Sequence, residues 1–199
     1  MSLPETILRE KVIPVARGLD GSTAPGLVEA LAAGGINSIE ITIESPEALG
    51  AIVAVAGSDV TVGAGSVMSV PDAERAISAG AEFVVSPHLV LDLVQWALNN
   101  DIAYVPGALS PTEVASAWKL RPAAVKVFPA NLGGPGYLRS LLGPFPDLSL
   151  IPTGGVDGVN VTDFLRSGAI AVGVGGWLTS HEDLGMVTER AATLRSKVV

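Results

Sequence analysis

Residues 12–43 decide the fold, and they read VIPVARGLDGSTAPGLVEALAAGGINSIEITI. The stretch begins with the apolar run Val12–Ala16 and ends with the run Ser38–Ile43, and both have the nearly continuous hydrophobicity of strands buried on both faces. Between them, residues 27–31 have helical spacing and lead into Gly34 and Gly35, where a helix C-cap belongs. The stretch predicts two parallel strands joined by a right-handed helical crossover.

The same alternation continues along the whole chain. The predicted strands are Val12–Ala16, Ser38–Ile43, Val60–Val62, Phe83–Val85, Ile102–Val105, Ala124–Phe128, Leu148–Ile151 and Ile170–Val172. Helix signals lie between these runs. Ser110 and Pro111 supply a cap residue and a first-turn proline, and a last helix is predicted from about Glu182 to Ser196.

Eight strands that alternate with helices favour a (β/α)8 barrel, for which roughly 200 residues is the lower limit. An open, doubly wound α/β sheet is the alternative. It is disfavoured because residues 17–21, after the first strand, lack the glycine spacing of a dinucleotide-binding loop. No linker or charge run marks a boundary, so one domain over residues 1–199 is expected.

Composition limits the classes of function. The chain has 12 Lys and Arg against 20 Asp and Glu, so its formal charge is −8, and neither nucleic acid nor an anionic membrane is expected as a partner. Because the chain has no Cys, disulfides, thiolate metal sites and a cysteine nucleophile are excluded. No apolar run approaches the ~18 residues of a membrane span, and residues 1–5 do not resemble a signal peptide, so a cytoplasmic protein is expected.

Polar residues interrupt two of the apolar strands. Side chains alternate between the interior of a barrel and its helix layer, so Glu40 and Thr42 on one strand and Lys126 on another are predicted to point inward. Burying a carboxylate or an ammonium alone costs several kcal/mol, so Glu40 and Lys126 are expected to be paired or to change their ionisation.

Lys126 is the only one of four lysines that interrupts an apolar strand. Desolvation favours a neutral amine, which is a nucleophile toward carbonyl groups, and a nearby carboxylate can move the protons of Schiff-base chemistry. The alternative is a structural Lys–Glu pair inside the barrel. Residue types and spacing leave both interpretations open.

Glycine clusters follow the last two predicted strands, at residues 153–155 (TGG) and 173–176 (GVGG). Barrels often bind phosphate at these two loops, where glycine allows close approach of backbone N–H groups. Tight turns without a ligand are the alternative. Ser66 lies in an open loop after the third strand, and Arg17, at the end of the first, is a candidate partner for a substrate carboxylate.

The histidines and tryptophans point to structural positions. His88 and His181 have no further ligands at metal-binding spacing, which favours cap or surface positions, and no metal site is expected. Trp96, Trp118 and Trp177 are interpreted as packing residues.

Six motifs occur in order over almost the whole chain. They are residues 63–67 (GAGSV), 86–89 (SPHL), 106–113 (PGALSPTE), 125–130 (VKVFPA), 142–145 (LGPF) and 152–156 (PTGGV). Together they resemble the 2-keto-3-deoxy-6-phosphogluconate (KDPG) aldolases, a family that includes 4-hydroxy-2-oxoglutarate (KHG) and 2-dehydro-3-deoxy-6-phosphogalactonate aldolases. The resemblance implies a (β/α)8 class I aldolase, commonly a homotrimer, that works without metal or other cofactor.

The resemblance also assigns roles by position. Lys126 resembles the Schiff-base lysine, Glu40 the general acid/base, and Arg17 the arginine that binds the pyruvoyl carboxylate in some members. The expected substrate-binding positions are Arg17, Ser66, Pro106, Phe128, Thr153, Gly154, Gly155, Gly175 and Gly176.

Three positions depart from the family pattern. Glu44 stands where some members have arginine, and a carboxylate there would repel that of the substrate unless it points outward and Arg17 takes over. Ser66 replaces a threonine and keeps the hydroxyl. Gly176 replaces a serine that helps to hold phosphate, so weaker phosphate binding, or a smaller or unphosphorylated substrate, is implied.

The expected activity is cleavage of KDPG or a related 2-keto-4-hydroxy acid to pyruvate and an aldehyde, either glyceraldehyde 3-phosphate or glyoxylate. The small-molecule partner is therefore a keto acid of the sugar or sugar-phosphate type. The phosphogalactonate analogue is an alternative substrate. Two alternative functions stay open: a phosphosugar isomerase or epimerase, and a non-catalytic metabolite-binding barrel.

Overall fold

Strands and helices alternate in the computed structural model, which describes residues 1–180 and 183–198. The strands are β1 (Val12–Ala16), β2 (Ser38–Thr42), β3 (Thr61–Gly65), β4 (Phe83–Val85), β5 (Ala103–Val105), β6 (Gly107–Ala108), β7 (Val125–Val127), β8 (Leu150–Pro152) and β9 (Val172–Val174). The helices are α1 (Glu5–Glu10), α2 (Ala24–Ala33), α3 (Glu47–Val55), α4 (Val70–Ser78), α5 (Leu91–Asn100), α6 (Pro111–Trp118), α7 (Gly134–Leu142), α8 (Val161–Arg166), α9 (Gly176–Thr179) and α10 (Leu184–Lys197), with a 3-10 turn at Ala130–Leu132. His181 and the expected helix start at Glu182 lie outside the described residues.

The strands are parallel and close into a barrel. β1 pairs with β9 on one side and β2 on the other, and the order continues through β3 and β4 to β5. Pro106 has no N–H group to donate, and it divides one barrel strand into β5 and β6. β6 pairs with β7 and β7 with β8, while a bridge between Thr153 and Gly173 joins the end of β8 to β9. This circular order confirms the predicted (β/α)8 barrel and excludes the open sheet.

Neighbouring side chains along β1, β4, β5 and β8 enter two separate apolar clusters. Ile39 and Ile41 of β2 belong to the outer cluster, which packs against the helices. The interior cluster consists of Leu3, Ile7, Ile13, Phe83, Val85, Ala103, Val105, Ala124, Ile151 and Ala171. Four of these residues, Phe83, Ala103, Ala124 and Ala171, lie at or just before strand beginnings, and Leu3 and Ile7 of the α1 segment pack into the same cluster and close that end of the barrel. The sequence analysis did not predict α1.

Three strands extend beyond their predicted ends. β3 continues through Gly63 to Gly65, β8 ends at Pro152 rather than Ile151, and β9 ends at Val174 rather than Val172. The glycines are inward positions, and a Cβ at Gly63 would overlap the Phe83 ring. These glycines can be strand residues because the side chain of a neighbouring residue fills the space that their own missing side chains leave inside the barrel.

Helix ends follow local sequence signals. The predicted start of α6 is confirmed, because the Ser110 hydroxyl accepts the Glu113 N–H while the Glu113 carboxylate accepts the Ser110 N–H. Within residues 1–180 and 183–198, none of the helices combines the length and apolar character needed to cross a bilayer.

Candidate active site

The amine of Lys126 and the carboxylate of Glu40 meet inside the barrel. Lys126 is the central residue of β7 and Glu40 that of β2, on opposite sides of the strand circle. Lys126 Nζ lies 3.3 Å from Glu40 Oε1, and the side chains are 6% and 3% exposed. The predicted inward orientation of both is confirmed. Each charge has its partner, so neither is buried alone.

The pair lies between a glycine and an aromatic ring. A Cβ at Gly65 would lie 2.8 Å from Cδ of Glu40, so only glycine leaves room for the carboxylate. On the side of the amine, the centroid of the Phe128 ring lies 5.4 Å from Lys126 Nζ, within range of a cation–π contact.

A cavity of about 330 Å³ opens at the carboxyl ends of the strands and includes the Phe128 ring in its wall. The predicted substrate-binding residues that line it are Arg17, Phe128, Thr153, Gly154, Gly155, Gly175 and Gly176. Val15, Val156, Asp157 and Trp177 also line it, and the sequence analysis proposed none of them for the site. Trp177 packs as expected, with the Arg190 guanidinium 4.9 Å from its ring centroid, but it forms part of the cavity wall as well.

The turn after β8 is fixed by contacts with the 3-10 turn. Gly154 and Gly155 have φ values of 94° and 75°, in the left-handed region that glycine favours. The carbonyl groups of Thr153 and Gly154 accept hydrogen bonds from the N–H groups of Ala130 and Asn131 at 2.8 and 3.0 Å. These bonds hold the glycine backbone at the cavity wall.

The loop after β9 leads directly into the short helix α9. The carbonyl of Gly175 accepts the N–H of Leu178 at 2.8 Å, so Gly175 and Gly176 form the first turn. A Cβ at Gly176 would lie 3.1 Å from Ser180 Oγ. Ser180 therefore has its hydroxyl beside the position where the family pattern has a serine.

A model of the family described as "KDPG and KHG aldolase" matches residues 4–189. The 2-dehydro-3-deoxy-phosphogluconate aldolase of Pseudomonas aeruginosa is 34% identical over 178 residues, which cover 87% of this chain and 81% of that protein. The chain belongs to the KDPG and KHG aldolase family. This confirms the resemblance and the expected enzyme class of the family, an aldolase.

Solved structures of KDPG aldolases share the fold of this family member. The enzyme from Zymomonas mobilis matches with a TM-score of 0.90 and 31% identity, over 99% of this chain and 98% of that one. The enzyme from Legionella pneumophila, with pyruvate captured at low pH as a covalent carbinolamine intermediate, matches with a TM-score of 0.88 and 29% identity, over 95% and 96% of the two chains.

Two of the predicted substrate-binding residues are not in the cavity wall of this KDPG and KHG aldolase family member. Pro106 is buried, and its carbonyl accepts the backbone N–H of Lys126 at 2.9 Å. Ser66 has a φ of 57°, which is uncommon for a residue other than glycine, and its hydroxyl donates to Glu44 Oε1 at 3.0 Å. Their contacts with substrate stay predictions.

Glu44 is in contact with Arg17, the residue expected to take over binding of the substrate carboxylate. Its Oε1 accepts a hydrogen bond from the Arg17 guanidinium as well as from Ser66. Partial burial alone would raise the pKa of Glu44. The hydrogen bonds from Arg17 and Ser66, and the positive charges of Arg17 and Lys126, outweigh burial and hold the pKa below its ordinary value. Glu44 is therefore a carboxylate at neutral pH.

Histidines and carboxylates do not cluster in the described part of this aldolase family member. Among residues 1–180 and 183–198, no group of three His, Asp or Glu side chains is placed to hold a metal ion. His88 is exposed in the loop after β4, in keeping with the expected surface position. His181 is outside the described residues.

Proposed function

We propose that this chain is a class I aldolase that cleaves KDPG, or a related 2-keto-4-hydroxy acid, to pyruvate and an aldehyde. The observation that carries the proposal is the buried contact between Lys126 Nζ and Glu40 Oε1 at 3.3 Å. An amine held next to a carboxylate in a site with little water is what Schiff-base chemistry requires.

The first half of the reaction forms the imine. Glu40 accepts a proton from the Lys126 ammonium, and the neutral amine attacks C2 of the substrate to give a carbinolamine. Glu40 then returns a proton to the departing hydroxyl group. Loss of water leaves a protonated imine on Lys126, which is the electron sink for the next step.

The second half breaks the bond between C3 and C4. The Glu40 carboxylate accepts the proton of the C4 hydroxyl as this bond cleaves, and the electron pair moves into the imine to give an enamine. The aldehyde leaves. Protonation of the enamine at C3 and hydrolysis of the resulting imine release pyruvate and restore the Lys126 amine.

The cavity supplies donors for the two ends of the substrate. Arg17 in the cavity wall is proposed to bind the carboxylate of the keto acid, together with Ser66, which lies outside the wall but contacts the same Glu44 oxygen as Arg17. The backbone around residues 153–155 and 175–176 is proposed to bind the phosphate or its equivalent, because glycine allows close approach to N–H groups. Pro106 is proposed to fix the backbone of Lys126, whose N–H its carbonyl accepts. Phe128 is proposed to cover one face of the space beside the Lys126 amine.

Borohydride trapping tests the proposal. In the presence of pyruvate, reduction should add the mass of the reduced pyruvoyl group to Lys126, and Lys126→Met should remove the adduct and the cleavage of KDPG. Lys119→Met is the control, because Lys119 is exposed at the end of α6. Absence of an adduct would reject the mechanism, and isomerase or epimerase activity that survives borohydride would favour the alternative enzyme.

We also propose a cytoplasmic homotrimer in which residues 1–199 form one functional domain. Three of the most exposed large apolar side chains, Met68, Leu91 and Leu132, follow β3, β4 and β7 at the same end of the barrel. Exposed apolar side chains are typical of subunit contacts where they form one contiguous patch. Light scattering of the purified protein should give three times the mass of the chain, and Leu132→Glu should lower it. A monomeric wild type would reject the trimer.

A further inference from the structure

Three neighbouring strands bring Arg17, Glu44 and Ser66 together at the rim of the barrel. Arg17 follows β1, Glu44 follows β2, and Ser66 follows β3. A single atom, Glu44 Oε1, accepts hydrogen bonds from the Arg17 guanidinium and from the Ser66 hydroxyl, the latter at 3.0 Å. The arrangement is a carboxylate-binding site that holds a carboxylate of the same chain, because a guanidinium and a hydroxyl are typical donors to carboxylate oxygens.

We propose that Glu44 is an internal competitor for the site of the substrate carboxylate, so that a keto acid binds to Arg17 and Ser66 only after it displaces Glu44. The inference rests on the proposed function, which assigns Arg17 and Ser66 to that carboxylate. It adds that Glu44 determines which carbonyl compounds the site accepts: a keto acid competes with Glu44, whereas a neutral ketone does not.

The pair of Arg17 and Glu44 is weak enough to be displaced. Their side chains are 53% and 48% exposed, and ion pairs in contact with solvent contribute little because water screens them. A keto acid is held by a covalent imine with Lys126 as well as by its carboxylate, whereas Glu44 is held at Arg17 and Ser66 only by its carboxylate.

A displaced Glu44 side chain has space beside the site. An open groove of about 460 Å³ is lined by Glu44, Ser45 and Leu49 and by Arg75 of α4, whose guanidinium also pairs with Asp72. Glu44 thus has a solvated position in a groove with a second cation when it leaves Arg17.

The test compares two probes on matched variants. The concentration of pyruvate that gives half-maximal borohydride adduct on Lys126 should fall about two- to fivefold in Glu44→Gln, the range that an exposed ion pair accounts for. With pyruvamide, which lacks the carboxylate charge, the half-maximal concentration should not change. Glu47→Gln is the control, because Glu47 is an exposed carboxylate in the first turn of α3 and its loss changes the net charge equally.

Each outcome decides the inference. An unchanged pyruvate requirement in Glu44→Gln, or an equal shift with pyruvamide, overturns it, and so does a higher pyruvate requirement, which would mean that Glu44 positions Arg17. If Glu44→Gln does not fold by circular dichroism, Glu44→Thr is used with the same criteria. An adduct that forms without a shift rejects only this inference, whereas no adduct in any variant rejects the proposed function and the inference with it.

Discussion

The carboxylate of Glu40 occupies the volume that a side chain on Gly65 would need. A Cβ at Gly65 would lie 2.7 Å from Cγ of Glu40, and the carboxylate that extends from this Cγ is the one that contacts Lys126. The glycine is therefore part of what holds the acid/base group in place, although it carries no chemistry.

Gly65→Ala should separate the carboxylate from the amine. We expect kcat for KDPG cleavage to fall about 100-fold or more, because general acid–base catalysis contributes about 10²–10⁴ in rate. Gly50→Ala on α3 is the control, since a Cβ there meets nothing within 4 Å. Steady-state kinetics on both variants checks the prediction, and a normal kcat in Gly65→Ala would contradict it.

Breaking the Lys126–Glu40 pair should also lower the free energy of unfolding. Lys126→Met and Glu40→Gln should each lower the free energy of unfolding by about 3–5 kcal/mol, because each leaves a buried polar partner without its counter-charge. The double variant should recover most of this loss. Urea unfolding at one fixed protein concentration measures the coupling, and losses that simply add would show that the pair does not interact in the folded state.

Much of the barrel could be predicted from residue order alone. The inward positions of Glu40 and Lys126 follow from alternation within a single strand, because a strand has a period of two and the outward neighbours are apolar. For the orientation of these two side chains, the order of residues within each strand was sufficient. The strand-end positions, the glycine clusters and the family resemblance together predicted seven of the eleven residues that line the cavity.

The rest depends on distances between strands, which a single run of residues does not contain. The contact of Glu44 with Arg17 joins the ends of two strands, and the role of Gly65 depends on the length of Glu40. The packing of Ile7 inside the barrel was missed because α1 has only six residues and no strong cap. These contacts join residues that are far apart in the sequence, so they can be identified only from the folded barrel.

Ile7 should affect stability without affecting catalysis. It is fully buried in the interior cluster at the strand beginnings, so Ile7→Ala should lower the free energy of unfolding by about 2–5 kcal/mol through loss of packing. The KM and kcat values at a temperature where the variant is folded should stay unchanged, because the cavity lies at the other end. Leu8→Ala, at the neighbouring and exposed position, is the control. A large change in KM for Ile7→Ala would show that the two ends are coupled.

Asp20 should make stability depend on acid pH. The Ser22 hydroxyl, the backbone N–H groups of Ser22 and Thr23, and the Thr23 hydroxyl bond to its carboxylate and lower its pKa from 3.8 to about 2. A lowered pKa contributes stability above the ordinary value, and this contribution is lost as pH falls from about 4 to about 2. The difference in urea midpoint between wild type and Asp20→Asn should therefore be constant above pH ~5 and shrink below pH ~4. Asp59→Asn removes another exposed charge and serves as control; a pH-independent difference for Asp20→Asn would contradict the prediction.

Gly176→Ser should improve binding of phosphorylated substrates. The added side chain would stand at the first turn of α9 in the wall of the cavity, and the nearest atom to its Cβ is Ser180 Oγ at 3.1 Å, the end of a side chain that can rotate. We expect KM for KDPG to fall about three- to tenfold, the value of one added hydrogen bond to a charged group that is partly solvated. KM for 4-hydroxy-2-oxoglutarate, which has no phosphate, should stay the same. Gly176→Ala adds the carbon without the hydroxyl and should not improve either substrate. An equal gain for both substrates, or the same gain in Gly176→Ala, would mean that the loop became more rigid and that the phosphate does not bind at Gly176.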